Sequence, residues 1–408
     1  MRVGVRRKAI TMILALLCVV CLAVSPSARP QTATQSPFQP PVAQSNSPSS
    51  HTEAKKPAKP RKPLHREAYQ RKSLVDVSNA QRVNVAQLEE ALRESHGHSD
   101  RQIAKQLELL GLTQRFTRQN LLRWQSKLPG NRSRKALGLL ADASSFLPLP
   151  PTEKLILPDP SPRQELQMID RVVRFVADAL LQQPQVVARQ SMERYLEVDP
   201  EYASRTAKPI WRHIGSHHGK VYMLDGGVSL RPYKPETAPQ RNAITPGGDG
   251  SYGQMLGTVL HDIRHGSLMW SHWEQSPRGP IAVIAYRVPQ KHSHYEATFT
   301  NISRAGRKRI TLRAIAYHGE LSFDPATGAP VRLALEGDLN PRLAFRRSDV
   351  VIDYEQFHIG SQEFIFPAHT VDIVRRWFPG YDENGNYYEY ADEATVLTSI
   401  SFSQYRLH

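Results

Sequence analysis

The chain has 408 residues, of which 40% are apolar and 22% charged; these ordinary fractions exclude a wholly disordered chain and leave length for a sizeable core. Its formal net charge is +15, which suits polyanions or anionic lipid, but it has neither zinc-finger spacing nor the basic and aromatic strand motif of RNA-binding sheets, so no nucleic-acid partner is expected. Both cysteines, Cys18 and Cys21, lie in the first apolar run; removal of that run would exclude disulfides, thiolate metal sites and a cysteine nucleophile.

Arg2, Arg6, Arg7 and Lys8 precede the apolar run Ala9–Val24, which is followed by small residues and Pro26. This is the layout of a secretory signal, assigned to 1–28. The run is short for a membrane span, and an uncleaved anchor is the alternative. Neither cysteine follows the small residue that lipoprotein processing requires. No later stretch reaches spanning length, so the expected location is the periplasm, the cell envelope or the exterior. Residues 29–81 are rich in Pro, Ser and Lys and read as a disordered linker.

Residues 82–146 have helical periodicity. Leu88, Ala91 and Leu92 line a first helix closed at His96-Gly97. Ser99 and Gln102 form a capping box for a second, whose stripe Ile103, Leu107 and Leu110 ends at Gly111. Phe116, Leu121, Leu122 and Trp124 mark a third, stopped by Pro129-Gly130, and Leu137, Leu139 and Leu140 a fourth from about Ser133. Four short helices with short turns predict a small helical bundle, with solvated Arg and Lys opposite the leucines. Residues 147–162 hold six prolines and read as a second linker.

From Arg163 an amphipathic helix carries Met168, Val172, Phe175, Ala179 and Val187 and is expected to run to 197, broken or kinked by Pro184. Lys220–Leu224 and Val228–Tyr233 flank Asp225-Gly226-Gly227, a hairpin signal. Residues 235–250 read as a loop, and a short helix runs from Ser251 to about Arg264. Period-two segments then follow: Ile310, Leu312, Ala314 and Ala316; Val331, Leu333 and Leu335; Ile352 and Tyr354; Phe364 and Phe366; Val371 and Ile373; Ile400 and Phe402. Turns at 324–328, 358–360 and 382–386 separate several of them. The pattern predicts an antiparallel sheet of roughly nine to eleven strands, with one buried face and strong curvature. The fold class is therefore α+β.

The sharpest local motif is His261-Asp262-Ile263-Arg264-His265. On a continuous helix, His261 and His265 share a face and could bind zinc, which would support a zinc-dependent hydrolase. His272, His217, His218 or Glu274 could add a third ligand. Ordinary histidines at a helix end are the simpler reading. Gly247–Ser251 lacks the Lys-Ser/Thr pair of a phosphate loop. Met269, Trp270, Trp273 and Tyr286 form an aromatic group suited to core or to the lining of a ligand cavity. No nucleophile elbow or carboxylate pair appears; no enzyme activity and no cofactor are expected.

Residues 163–408 resemble an exported acidobacterial family with a LolA/RseB-like domain, the lipoprotein-carrier half-barrel. The resemblance rests on Gly253–Leu256, Trp270–Trp273 with Ile284–Val288, Tyr317–Asp324 with Thr327-Gly328 and Arg332-Leu333, and Val351–Tyr354 with Ile359-Gly360 and Phe364–Pro367. It implies a curved antiparallel half-barrel following the N-terminal bundle, with helices over the concave face and an apolar cavity between. It also implies lipid, lipoprotein acyl chains or an envelope protein as partner, and no catalytic residue. An adaptor acting through the helical bundle is the alternative, and the histidines of 261–265 lie outside the shared pattern.

Overall fold

The structure, a computed structural model, describes residues 81–182, 184–198, 209–224, 227–229, 252–302, 308–339, 345–381 and 387–408. The expected signal, the first linker, the loop 235–250, the glycine-rich 247–251 and the turn 382–386 lie outside them.

Four helices open the described chain: α1 (Val85–Glu94), α2 (Asp100–Leu107), α3 (Arg118–Gln125) and α4 (Asn131–Ala143). Their starts are locally encoded. Asn84 with Gln87, and Ser99 with Gln102, form reciprocal capping boxes on α1 and α2. The N-terminus of α4 has no cap of its own. Instead the Asp100 carboxylate, from the first turn of α2, accepts from Arg132 N, Ser133 N and Ser133 Oγ, which satisfies orphan donors and complements the helix dipole. Val85, Leu88, Leu92, Ile103, Leu107, Phe116, Leu121, Trp124, Leu137 and Leu140 share one core.

Three expectations are corrected in this region. Ala91 is exposed, because the inner stripe of α1 is Val85, Leu88 and Leu92. Leu110 does not extend α2: the helix ends at Leu107, and Leu110–Leu112 (β2) pairs in parallel with Gln81–Val83 (β1). Leu122 is exposed.

The main body is one open antiparallel sheet of eleven strands. In spatial order these are β3 (Lys154–Leu155), β7 (Ser267–Ser276), β8 (Gly279–Val288), β11 (Ala316–Phe323), β12 (Pro330–Asp338), β13 (Phe345–Ile359), β14 (Gln362–Tyr381), β15 (Tyr387–Leu407), β4 (Val186–Glu197), β5 (Trp211–Leu224) and β6 (Gly227–Ser229). Both edge strands are very short: β3 pairs with only Trp273 and Glu274 of β7, and β6 with only Tyr222, Met223 and Leu224 of β5. A separate hairpin pairs β9 (Glu296–Ile302) with β10 (Lys308–Ala314). The expected helix through 197 is overturned. Pro184 ends α5 (Pro162–Gln182), and 186–197 forms β4 between β5 and β15. Adjacent β-branched residues, Val186-Val187, and two strands to bond to outweigh a helical pattern that Pro184 had already interrupted. Ala316 does not share the core face; Ile315 and Tyr317 do.

The sheet is buried on both faces, not one. On the first face, α5 and α6 (Tyr252–Asp262) pack Met168, Ile169, Val172, Val173, Val176, Val259 and Leu260 over Ile284, Tyr317, Leu333, Ile352, Phe366 and Ile400. Each such aliphatic side chain contributes about 1.5–3 kcal/mol of transfer free energy. On the second face, Val351, Val371, Ile373, Leu397 and Tyr195 are buried beneath Leu139, Ala143 and Phe146 at the end of α4.

Ionic groups surround that second apolar patch. Arg115 pairs with Glu274, Arg118 with Glu355, and Lys135 with Glu193. Arg332 Nη2 donates to Ser145 O at 2.6 Å, and Arg332 also pairs with Asp353. Arg115 is therefore enclosed against a sheet carboxylate, contrary to its expected solvated place, whereas Lys135 reaches its partner from a solvated helix face.

The proline-rich stretch 147–162 touches the rest of the fold at several points, although Ile156 is fully exposed. Leu149 is buried, Lys154–Leu155 pairs with β7, and Glu153 accepts from Thr117 and Asn120. No helix among the described residues is long and apolar enough to cross a membrane.

Candidate ligand cavity

The β13–β14 hairpin turns at Gly360, whose φ of 65° suits glycine. Its register places Tyr354 opposite Pro367 and Gln356 opposite Ile365, after an irregularity between Asp353 and Tyr354. An extra residue at such a bulge re-aims the side chains that follow, and Pro367, which has no N–H to donate, is tolerated beside it. Tyr405 donates to Pro367 O at 2.5 Å and stacks on Phe366 with ring centres 4.6 Å apart, so this end of the sheet has a stiff aromatic wall.

Over this end lies the C-terminal half of α5. Phe175, Val176 and Ala179 share a helix face by their spacing. Together with Leu256 of α6 they enclose, against Tyr354, Phe364, Ile365, Pro330 and Pro367, a cavity of about 750 Å³. That is within the range of small-ligand sites. Asp178, Gln356, Gln362 and Glu363 form its polar rim; all four are exposed.

One polar atom stands out among these apolar walls. The Tyr354 hydroxyl is buried and has no hydrogen-bond partner among the described residues. Burial, with a smaller contribution from the Asp353 charge, pushes its pKa far above the ordinary tyrosine value, so it remains a neutral O–H donor. A buried donor without an acceptor costs about 1–3 kcal/mol.

The aromatic group expected from the sequence lies elsewhere. Met269 is exposed. Trp270 and Trp273 stand edge to face at 4.7 Å, and their indole N–H groups donate to Asp159 Oδ1 and Pro158 O, which fastens the proline-rich stretch to β7. Tyr286 is buried and donates to Ala334 O at 2.7 Å. None of the four lines the cavity. Of the residues that do, Phe175 and Ala179 were visible only as a helix stripe and Tyr354 only as one position of an alternating strand.

The histidine pair is also arranged differently from the continuous-helix expectation. The α-helix stops at Asp262, and Ile263–His265 is a 3₁₀ turn, so His261 and His265 do not share an α-helical face. His265 stacks on His292 at 4.7 Å, and His261 meets Asp262 and His294. Of the suggested third ligands, His272 is bound to Glu274 at 3.2 Å, and His218 to Ser191 at 3.0 Å.

The chain matches no protein-family model, no curated protein and no solved structure.

Proposed function

We propose that the protein is an exported, non-enzymatic envelope protein that holds the acyl chain of a lipid or acylated partner in the cavity between α5 and the β13–β14 hairpin. In this reading the sheet with α5 and α6 is a half-barrel of the LolA/RseB kind. The supporting observation is a half-open cavity of about 750 Å³ lined on its inner side by Phe175, Val176, Ala179, Leu256, Phe364 and Ile365, with a polar rim. The apolar inner walls supply area-proportional affinity, and the polar rim supplies orientation. The rim narrows the ligand class. Asp178 and Glu363 would repel the carboxylate of a free fatty acid, whereas an ester- or amide-linked chain brings no charge to the rim.

The test is native mass spectrometry of untagged protein purified from an envelope fraction without detergent, paired with titration of a fluorescent acyl ester. The expected result is a co-purifying acyl species and saturable probe binding. Ala179→Trp, which fills the cavity, should abolish binding. A bare mass together with no probe binding would refute the proposal.

A further inference from the structure

Asp262 is the most fully enclosed carboxylate near the end of α6, with no exposed surface. Its two oxygens have different surroundings. Oδ2 accepts from the Tyr317 hydroxyl and from the backbone N–H of His294, each at 2.8 Å. Oδ1 faces two imidazoles, with His294 Nδ1 at 2.5 Å and His261 Nδ1 at 3.4 Å. One donor atom from each of the three residues lies within 4.8 Å of the other two.

We infer that His261, Asp262 and His294 bind one divalent transition-metal ion of the zinc type. Two imidazole nitrogens and one carboxylate oxygen are the donor set such an ion prefers over magnesium or calcium, which favour oxygen alone. Bonds of about 2.0–2.1 Å in a tetrahedron put ligand atoms roughly 3.3 Å apart, so the three require only small adjustments to close on one ion. The Tyr317 hydroxyl on Oδ2 is the outer-sphere support that ligating carboxylates commonly have. The His261 and His294 side chains are 33% and 65% exposed. The ion can therefore enter from solvent and keep its fourth position open, the layout of exchangeable rather than closed structural sites. The stacked pair His265 and His292 is a neighbouring feature and not part of the ligand set. The inference is independent of the acyl-binding proposal, whose cavity shares none of these residues.

The experiment is equilibrium dialysis of the untagged, chelator-stripped full chain against zinc ions near neutral pH, with circular dichroism on every variant. One tightly held equivalent is expected. His261→Ala and His294→Ala, where the dichroism shows the fold retained, should each weaken it by at least about tenfold, since loss of even an outer-sphere partner has that effect. Tyr317→Phe should lower affinity about 10- to 100-fold by the same principle. The paired change His265→Ala with His292→Ala should leave binding unchanged, and cobalt loading should give tetrahedral visible bands that His294→Ala removes. A wild-type chain retaining no zinc would reduce the cluster to an Asp262–His294 ion pair and overturn the inference. So would folded His261→Ala and His294→Ala variants that bind zinc as well as wild type.

Discussion

His369 Nε2 lies 3.4 Å from Asp142 Oδ1, which ties the centre of β14 to the C-terminal turn of α4. The imidazole is held on its other side by Asp353, 3.7 Å from Nδ1, itself paired with Arg332. Burial alone would lower the histidine pKa, but the two carboxylates overcome it and raise the value to about 10. His369 is therefore a permanent buried cation at neutral pH. Its folded pKa is above the unfolded value of 6.5, so the folded state binds more protons in this window. The stabilisation is complete below pH 6.5 and is lost as pH rises toward 10. The denaturation midpoint should fall across that range, and the slope should flatten in His369→Gln, which at pH 7 costs about 3–5 kcal/mol by orphaning a buried pair. An unchanged slope in the variant would assign the titration to another group.

A second buried group titrates in the same direction for the opposite chemical reason. Asp372, three residues along β14, is raised to about 7, first by burial and then by the Asp349 charge, with Arg194 only partly offsetting them. An acid whose folded pKa exceeds its unfolded value of 3.8 stabilises fully below 3.8 and loses that contribution as pH rises through 7. Asp372→Asn should therefore be nearly neutral at pH 4 and stabilising at pH 8. Urea unfolding at the two pH values measures it, and a variant destabilised equally at both would contradict the assignment.

Much of this architecture is legible in the chain, and the failures have physical causes. The caps at Ser99 and Gln102, the Asp324–Gly328 turn and the alternation of Leu333 and Leu335 are local, and each is found where period and turn chemistry put it. The second buried face was also encoded: Val350-Val351-Ile352 is a continuous apolar run, the mark of a strand covered on both sides. What covers it was not, because Leu139 and Ala143 reach Val351 and Val371 across more than two hundred positions. The same holds for the candidate sites. Asp262 and His294 are 32 residues apart and meet only once β7 and β8 have brought the chain back. Tyr354 is ordinary as a strand residue and becomes unusual only through the absence of an acceptor around it.

The sheet also contains a position where a methyl group cannot be added. The Tyr286 hydroxyl crosses from β8 over Gly319 of β11 to reach Ala334 O on β12. A Cβ at 319 would lie 1.9 Å from that carbonyl oxygen and 2.8 Å from the phenol oxygen. The first obstacle is backbone and cannot swing away, so three central strands must separate. Gly319→Ala should cost roughly 3 kcal/mol by overpacking and should weaken the tyrosine near-ultraviolet dichroism. Tyr286→Phe should not rescue it, because the carbonyl clash remains. A folded Gly319→Ala protein of wild-type stability would show that β11 and β12 separate more easily than their register suggests.

The helical segment gives the last prediction, because it bears on whether α1–α4 form a separable module. If they did, their loss would leave a sheet ready for solvent. Instead their removal would uncover Val351, Val371, Ile373 and Leu397, each now 2% exposed or less. It would also strip partners from three enclosed ionic groups: Glu274 from Arg115, His369 from Asp142, and Arg332 from Ser145 O. Burial raises the Glu274 carboxyl, but His272 and Arg115 bring it down to about 2, so without Arg115 it becomes an under-compensated charge, a change that is costly in a low-dielectric setting. Deleting residues 81–146 should therefore yield a chain that binds hydrophobic dye, loses its cooperative melt and aggregates at concentrations where the full chain is monodisperse. Double substitution of Arg115 and Glu274 by Met and Leu tests the ionic part separately. It should be near neutral, because apolar side chains can replace a buried pair when both partners go together, whereas Arg115→Ala alone should cost about 3 kcal/mol. A soluble, dye-silent deletion protein that unfolds cooperatively at the wild-type midpoint would show the helices to be an independent attachment, and would favour an adaptor role for them.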